Sequence, residues 1–363
     1  MIFGKCLLER QLLQAIADEA SEARTSSSIV PAHADASLVA SLWQKAIRRG
    51  HGDWAIAAAR ELQRRDPAYV WRRIRVIALE EVSVANLQLV AQVLAIAGKR
   101  VLRAKLDERI LLSHLTCELT RSPKCRTPCD MASWLDPLVE GDEYTRLPGR
   151  VRDFAAGNLD LIRRSASAWR NAVPLSMRVD GRWKASGKGS RDRREAYLQW
   201  VGASPLLRFV VERGGSTYAL NALCVPAAQL KAVHSVPRPE VTPPPCSDEL
   251  IRSIPAYAYC MYSALGREAL RLFLNHSNWA ADERIPLKRE ALTVLGNLVF
   301  YVEGGFCADM LEIAHSVEIE RESERTLLGR HGIRPNDVTA LLDSARESLP
   351  LLNSMRRLVA EDQ

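Results

Sequence analysis

Residues 37–82, SLVASLWQKAIRRGHGDWAIAAARELQRRDPAYVWRRIRVIALEEV, decide the fold class. Apolar side chains recur three or four positions apart through Leu42 and Ala46, then Ile56, Ala57, Ala59 and Leu62, then Val70, Ile74 and Ile77. That period puts one face of each segment into a shared core. Between the segments the chain carries stop and start signals. Arg49-Gly50-His51-Gly52-Asp53 supplies backbone freedom followed by an Asp suited to cap a helix, and Asp66-Pro67 marks the next entrance. Helices are therefore expected over 37–49, 53–65 and 68–81, joined by connections short enough to force antiparallel hairpins. Arg60, Arg64, Arg72 and Arg75 are expected to keep their charged ends at solvent or at a partner.

Working outward, further helices are expected at 84–97 and 106–119, and before them at 7–23, either packed on its own domain or serving as an oligomerisation arm. Residues 121–130 contain two prolines and read as a turn. Residues 153–169 look helical. The stretch 179–194 combines Gly181, Gly187 and Gly189 with Arg182, Lys184, Lys188, Arg191, Arg193 and Arg194, and reads as a mobile basic loop in which Trp183 offers a stacking surface. Pro243-Pro244-Pro245 stiffens a connector at 236–246. Beyond it, helices are expected at 248–253, 266–274, 287–301, 308–324 and 335–359. The architecture predicted is all-α, a multi-helix assembly of short antiparallel helices with a less regular basic middle. Its segments are 1–30, 31–140, 141–235, the connector 236–246, and 247–363.

Composition limits the function classes. A chain of 363 residues can bury a substantial core without disulfides, and aromatics at 6% leave that core to Leu, Ile, Val and Ala. A net charge of +7 permits attraction to phosphate, and the arginines are clustered rather than spread. No run of about 18 apolar residues occurs, so no membrane partner is expected. Glu9, Arg10, Asp18 and Glu19 interrupt the N-terminal apolar stretch, unlike a signal peptide. The eight cysteines are dispersed, which fits a reducing, cytoplasmic setting. Cys117, Cys125 and Cys129 with His114 lack the close CxxC pairs of structural zinc sites and read as buried thiols, so no metal or other cofactor is expected.

No catalytic residue is assigned. The segment 181–190 has the wrong glycine spacing for a nucleotide-binding loop and Gly189 where a hydroxyl is needed, so ATP hydrolysis is not expected. Glu80 and Glu81 are adjacent, point in different directions on a helix, and read as partners for nearby arginines. His51, His276, His315 and His331 stand apart from any local nucleophile or metal motif. Gly214-Gly215 and Gly304-Gly305 read as turns, and Arg356-Arg357 as ordinary helix surface.

Residues 42–130 carry a resemblance. Leu42-Trp43-Gln44-Lys45-Ala46-Ile47-Arg48-Arg49-Gly50, Asp53 to Ala59, Asp66-Pro67 and Trp71 through Val82 resemble the C-terminal helical region of the clamp-loader-like AAA ATPases of the RarA/MgsA/WRNIP family. Ser122-Pro123-Lys124-Cys125-Arg126 resembles that family's proline-lysine-serine-arginine turn, with Cys125 in place of serine. Ile254 through Leu270 resembles a further family segment, with Tyr262-Ser263 where a histidine-threonine pair is usual and Cys260 where an acid is usual. The resemblance implies a clamp-loader-collar-like helical module for oligomerisation and DNA association, without the ATPase half.

The leading expectation is a non-enzymatic DNA-associated scaffold or regulator in replication, repair or a mobile element. Its phosphate contacts would be Arg48, Arg49, Arg72, Arg73, Arg75, Lys124 and Arg126, extended by the loop residues Arg182, Lys184, Lys188, Arg191, Arg193 and Arg194, with Trp183 stacking on a base. The alternatives are a homo-oligomeric protein-interaction module without nucleic-acid binding, and an enzyme whose site is assembled only in space.

Overall fold

The computed structural model describes residues 2–22, 34–135, 162–163, 176–179, 182–185, 198–199, 202–213, 219–239, 243–244, 246–285 and 288–362. After α1 (Ile2–Glu22), the expected hairpins follow as α2 (Ala36–Arg49), α3 (Gly52–Arg65) and α4 (Pro67–Ile77). Asp35 starts α2 by accepting the amides of Ser37 and Leu38 at 2.7 and 3.0 Å. Gly50 stops it at φ +74, a left-handed conformation that a Cβ would strain. Asp66 caps α4 through the Tyr69 amide at 2.8 Å, with Pro67 in the first turn. At α3 the expectation fails in detail. His51 holds the cap position without capping the helix through its side chain, which meets the Tyr257 hydroxyl instead, and Asp53 lies inside the first turn.

The helix expected over 68–81 is not regular to its end. α4 widens into a π-helical turn at Ala78–Val82 and tightens into a 3-10 turn at Ser83–Asn86 before α5 (Leu87–Ala97). A π turn inserts a residue into the helical ladder, and such turns recur at functional sites. Here it turns Glu81 into the core while Glu80 faces a pocket. Together Pro67–Ala97 is the one helical run among the described residues long and apolar enough to cross a membrane, and most of it is buried inside the fold.

Next come α6 (Arg100–Lys105), α7 (Glu108–Arg121) and α8 (Thr127–Trp134). Residues 127–130, expected to turn, already belong to α8, because Pro128 sits in the first turn of a helix, where no amide is needed. Arg182–Ala185 is a strand, β2, paired antiparallel with β1 (Ser176–Val179), so this end of the expected mobile loop is ordered by a ladder. The rest of that stretch and most of 153–169 lie outside the described residues.

The chain continues through α9 (Pro205–Arg213), α10 (Ala219–Val233) and β3 (Ser235–Pro237). The helix expected at 248–253 is instead a strand pair, β4 (Leu250–Ile251) with β5 (Ile254–Pro255), turning at Arg252 and Ser253, whose φ values are 45 and 65. Then follow α11 (Ala264–His276), α12 (Ala291–Val299), a second π turn at Phe300–Gly304, β6 (Leu311–Ile313), α13 (Ser316–Gly329), α14 (Val338–Glu347) and α15 (Leu349–Glu361). β6 occupies residues expected to be helical, and it pairs antiparallel with β3. Three short antiparallel strand pairs thus decorate an all-α, multi-helix fold among the described residues. Buried side chains from Leu12 to Ala360 form one contiguous core, shared by residues on both sides of 236–246.

Candidate anion pocket

α2 supplies the floor of the site. Ser37, Ser41, Gln44, Lys45 and Arg48 recur at three- and four-residue spacing and so line one side of the helix. The first π turn adds Glu80, the residue before α8 adds Arg126 and α8 itself Cys129, the second π turn adds Phe300, and Tyr262 comes from the segment before α11. With Ala40, Tyr69 and Arg73 they enclose a pocket of about 450 Å³. Its lining holds four cationic side chains, Lys45, Arg48, Arg73 and Arg126, against one carboxylate, Glu80.

Glu81 organises the pocket from behind. It is fully buried and takes Arg48 bidentately, Nη2 at 2.6 Å on Oε1 and Nε at 2.7 Å on Oε2. Arg126 Nη1 adds bonds of 3.1 and 3.3 Å to the same two oxygens. Burial pushes this carboxyl up, but Arg48 and Arg126 outweigh it and hold Glu81 down at about 2. Against its own burial, Arg126 is held charged by Glu81. Gln44 Nε2 donates to both Glu80 and Glu81, and Gln44 Oε1 accepts from Arg73 Nη2. Arg48 and Arg126 both lie over the Phe300 ring, at 5.4 and 5.3 Å from its centroid. Arg73 Nε has no hydrogen-bond partner among the described residues.

No family model, no curated protein and no solved structure matches this chain. The site therefore stands on its own geometry, in which the three segments singled out in the sequence, 42–82, 122–126 and 254–270, meet around one cavity.

The expected phosphate contacts divide sharply. Arg48, Arg49, Lys124 and Arg126 are buried, not displayed. Arg49 is stacked between Tyr257 and Phe306, 4.5 and 4.9 Å from their centroids, and donates to the Glu303 carbonyl at 2.8 Å. Lys124 Nζ donates to the carbonyls of Thr120 and Ser122. A duplex laid on the surface does not meet these two groups. Arg48 and Arg126 remain within reach only of something small enough to enter the pocket. Arg73 is half-buried at its rim, Arg72 is exposed beside Tyr69, and Arg75 is half-buried near the Arg213 carbonyl. Arg182, Trp183 and Lys184 lie on β2. Lys188, Arg191, Arg193 and Arg194 are outside the described residues. Arg356, expected at the surface, is fully buried against Glu303 through bonds of 3.0 and 2.7 Å.

Gln44, Lys45 and the Glu303–Arg356 pair carry no expected role from the sequence. α2 is amphipathic, with Ser37, Ser41, Gln44, Lys45 and Arg48 on one side and Leu38, Leu42, Trp43, Ala46 and Ile47 on the other; a polar stripe of this kind reads as solvent-facing, so no local signal showed that this one is covered. Among the described residues no group of three or more His, Cys, Asp or Glu side chains is placed to hold a metal ion. His276 bonds its own helix at the Leu272 carbonyl and His315 occupies a left-handed position before α13, both away from the pocket lining.

Beside the pocket, Asp130 on α8 faces Glu320 and Glu324 on α13, with Arg238 bonded to Glu320 at 2.8 Å. Burial raises the Asp130 carboxyl to about 7 against the pull of Arg126, and burial with Glu320 raises Glu324 to about 7. A carboxyl raised on folding stabilises the fold fully below its unfolded value, about 4, and that contribution is lost as pH rises through about 7. Thermal unfolding followed from about pH 4 to about pH 8 is expected to show this loss, and Asp130→Asn to flatten it. An unchanged slope in the variant would remove Asp130 as its source.

Proposed function

We propose that this chain is a non-enzymatic, DNA-associated scaffold or regulator that holds a phosphate-bearing nucleotide unit of a single strand or strand end in the pocket. The observation carrying this reading is the pocket lining, in which four cations surround a cavity walled by Tyr69, Tyr262 and Phe300. Guanidinium groups bind phosphate by charge-assisted hydrogen bonds, and aromatic rings stack on bases without demanding a sequence. The volume falls in the range of small-ligand sites and is far too small for a duplex. The resemblance of 42–130 to a clamp-loader-collar-like module supports the same class of partner.

The test is fluorescence anisotropy with terminally phosphorylated single-stranded, duplex and forked DNA across a salt series. Binding is expected to weaken with salt and to be strongest where a free strand end is present. Arg73→Ala, which leaves the bonds of Arg48 and Arg126 to Glu81 in place, is expected to weaken it about tenfold. Undiminished affinity in the folded variant would take the pocket out of the reading. Lys188→Ala, Arg191→Ala, Arg193→Ala and Arg194→Ala combined test the basic segment separately.

A second reading, a homo-oligomeric protein-interaction module, is favoured by one observation. Leu7, Val101 and Ile110 on α1, α6 and α7 are exposed large apolar side chains. A stable assembly mass without any nucleic-acid binding would select it.

A further inference from the structure

We propose that the pocket selects a nucleotide by its phosphomonoester, taking the terminal phosphate innermost and leaving the base at the mouth. This rests on the pocket being a nucleotide site and names the group it reads, whether that group is carried on a strand end or on a free mononucleotide.

Burial grades the lining from floor to mouth. Arg48 and Arg126 are 3% and 7% exposed, so an anion must leave water to reach them, whereas Arg73 is half-buried and Tyr262 is 61% exposed. The charged end of a ligand therefore belongs at the floor, and Tyr262 offers a base its stacking platform at the mouth. Phe300 is not that platform, because Arg48 and Arg126 already lie over its ring. A terminal phosphate at the floor has a single ester link leading outward. An internal phosphodiester has two, and a cavity of about 450 Å³, toward the small end of ligand sites, leaves little room for both chain directions.

The donors that such a phosphate needs are present. Arg48 gives Nε and one Nη2 proton to Glu81, and one Nη1 proton to the Gly304 carbonyl. Each terminal nitrogen of a guanidinium bears a pair of N–H groups, so among the described residues Arg48 keeps one on each. Arg73 adds its Nε, buried and without a partner, while its Nη2 is held by Gln44. A buried donor left unpaired is destabilising, and a phosphate oxygen relieves it.

Charge favours the same group. Arg48, Arg73 and Arg126 stay protonated and face two carboxylates, Glu80 in the lining and Glu81 behind it. One positive charge is in excess before Lys45 is counted. Burial pushes the Lys45 ammonium down, although it donates to the Tyr257 carbonyl at 2.7 Å and to Ser41 Oγ at 3.2 Å, and a second negative charge entering the pocket acts the other way. A phosphodiester carries one charge and a phosphomonoester about 1.5 to 2 at neutral pH, so the monoester is the better match to the whole lining.

The test uses the full chain and single-stranded oligonucleotides labelled at one end, with the other end, 5′ or 3′, carrying a phosphate or a hydroxyl. By anisotropy a phosphate end is expected to bind at least about tenfold more tightly than a hydroxyl end, and adenosine monophosphate to displace it where adenosine does not. In Arg73→Ala the advantage of the phosphate is expected to shrink to about twofold or less. By calorimetry adenosine monophosphate is expected to bind at least about tenfold more tightly than inorganic phosphate, and Tyr262→Ala to narrow that gap. Equal affinity for phosphate and hydroxyl ends would overturn the inference and leave a DNA-associated chain in place. Binding of adenosine monophosphate without binding of any strand would do the reverse, keeping the phosphomonoester site and ending the DNA reading. Adenosine monophosphate bound no better than inorganic phosphate would also overturn the inference.

Discussion

Glu81→Gln is expected to cost about 3–5 kcal/mol, read as a large drop in the urea midpoint. The substitution keeps the shape and one acceptor but strips the negative charge from between Arg48 and Arg126, which are 3% and 7% exposed. Two guanidinium groups already out of water would then have no counter-ion, and this uncompensated desolvation is what makes half a buried ion pair worse than none. The companion variant separates the pair's net worth from the cost of breaking it. Arg48→Met, Glu81→Leu and Arg126→Met together are expected to restore most of the lost midpoint, because an apolar core of similar volume needs no charges satisfied. The same triple variant should lose anion binding while staying folded, since two of the four pocket cations are gone. A Glu81→Gln midpoint within about 1 kcal/mol of the unsubstituted chain would show that water reaches these guanidiniums and that the network is not closed.

Gly266→Ala is expected to cost about 3 kcal/mol, at the upper end for overpacking. The first turn of α11 lies directly on the backbone of Cys260. Ser263 donates its amide to the Cys260 carbonyl at 3.0 Å and accepts the Gly266 amide on its hydroxyl at 3.1 Å. A Cβ at position 266 would overlap the Cys260 carbonyl oxygen and amide nitrogen and lie 2.6 Å from the carbonyl carbon. Those are backbone atoms with no rotamer to change, so the helix or the segment must move. Gly52→Ala is the control. Its Cβ meets nothing within 4 Å, and the change is expected to be neutral or to stabilise by up to about 1 kcal/mol. Circular dichroism melts of the two variants side by side check both, and equal melting would mean the α11 contact is loose.

Much of the scaffold was legible in the residues. Gly50 and Asp66-Pro67 mark ends that the chain obeys because capping and φ restrictions act within three or four residues. Where local signals competed, tertiary pairing won: residues 311–313 sit in a pattern that reads as helix, yet they pair antiparallel with Ser235–Pro237, and the Leu311 amide donates to the Lys124 carbonyl. A sequence signal for the β1–β2 pairing stands in Asp180-Gly181, a dipeptide common in two-residue hairpins, obscured by the glycines and basic residues that follow it.

The site is the part that only the tertiary structure decided. An arginine in a helix belongs at the surface unless a carboxylate meets it, and Arg48 finds its partner 33 residues away and Arg126 finds the same one 45 residues away. Lys45 finds the Tyr257 carbonyl 212 residues away in the same way. Helical period, caps and turns are properties of neighbours in sequence, so the sequence by itself determined the helices and their hairpins. Whether a charge is interior, paired and turned toward a cavity depends on the free energy of a partner that folding brings from elsewhere, and for this protein that drew Arg48 and Arg126 from an expected basic surface into a cation-lined pocket.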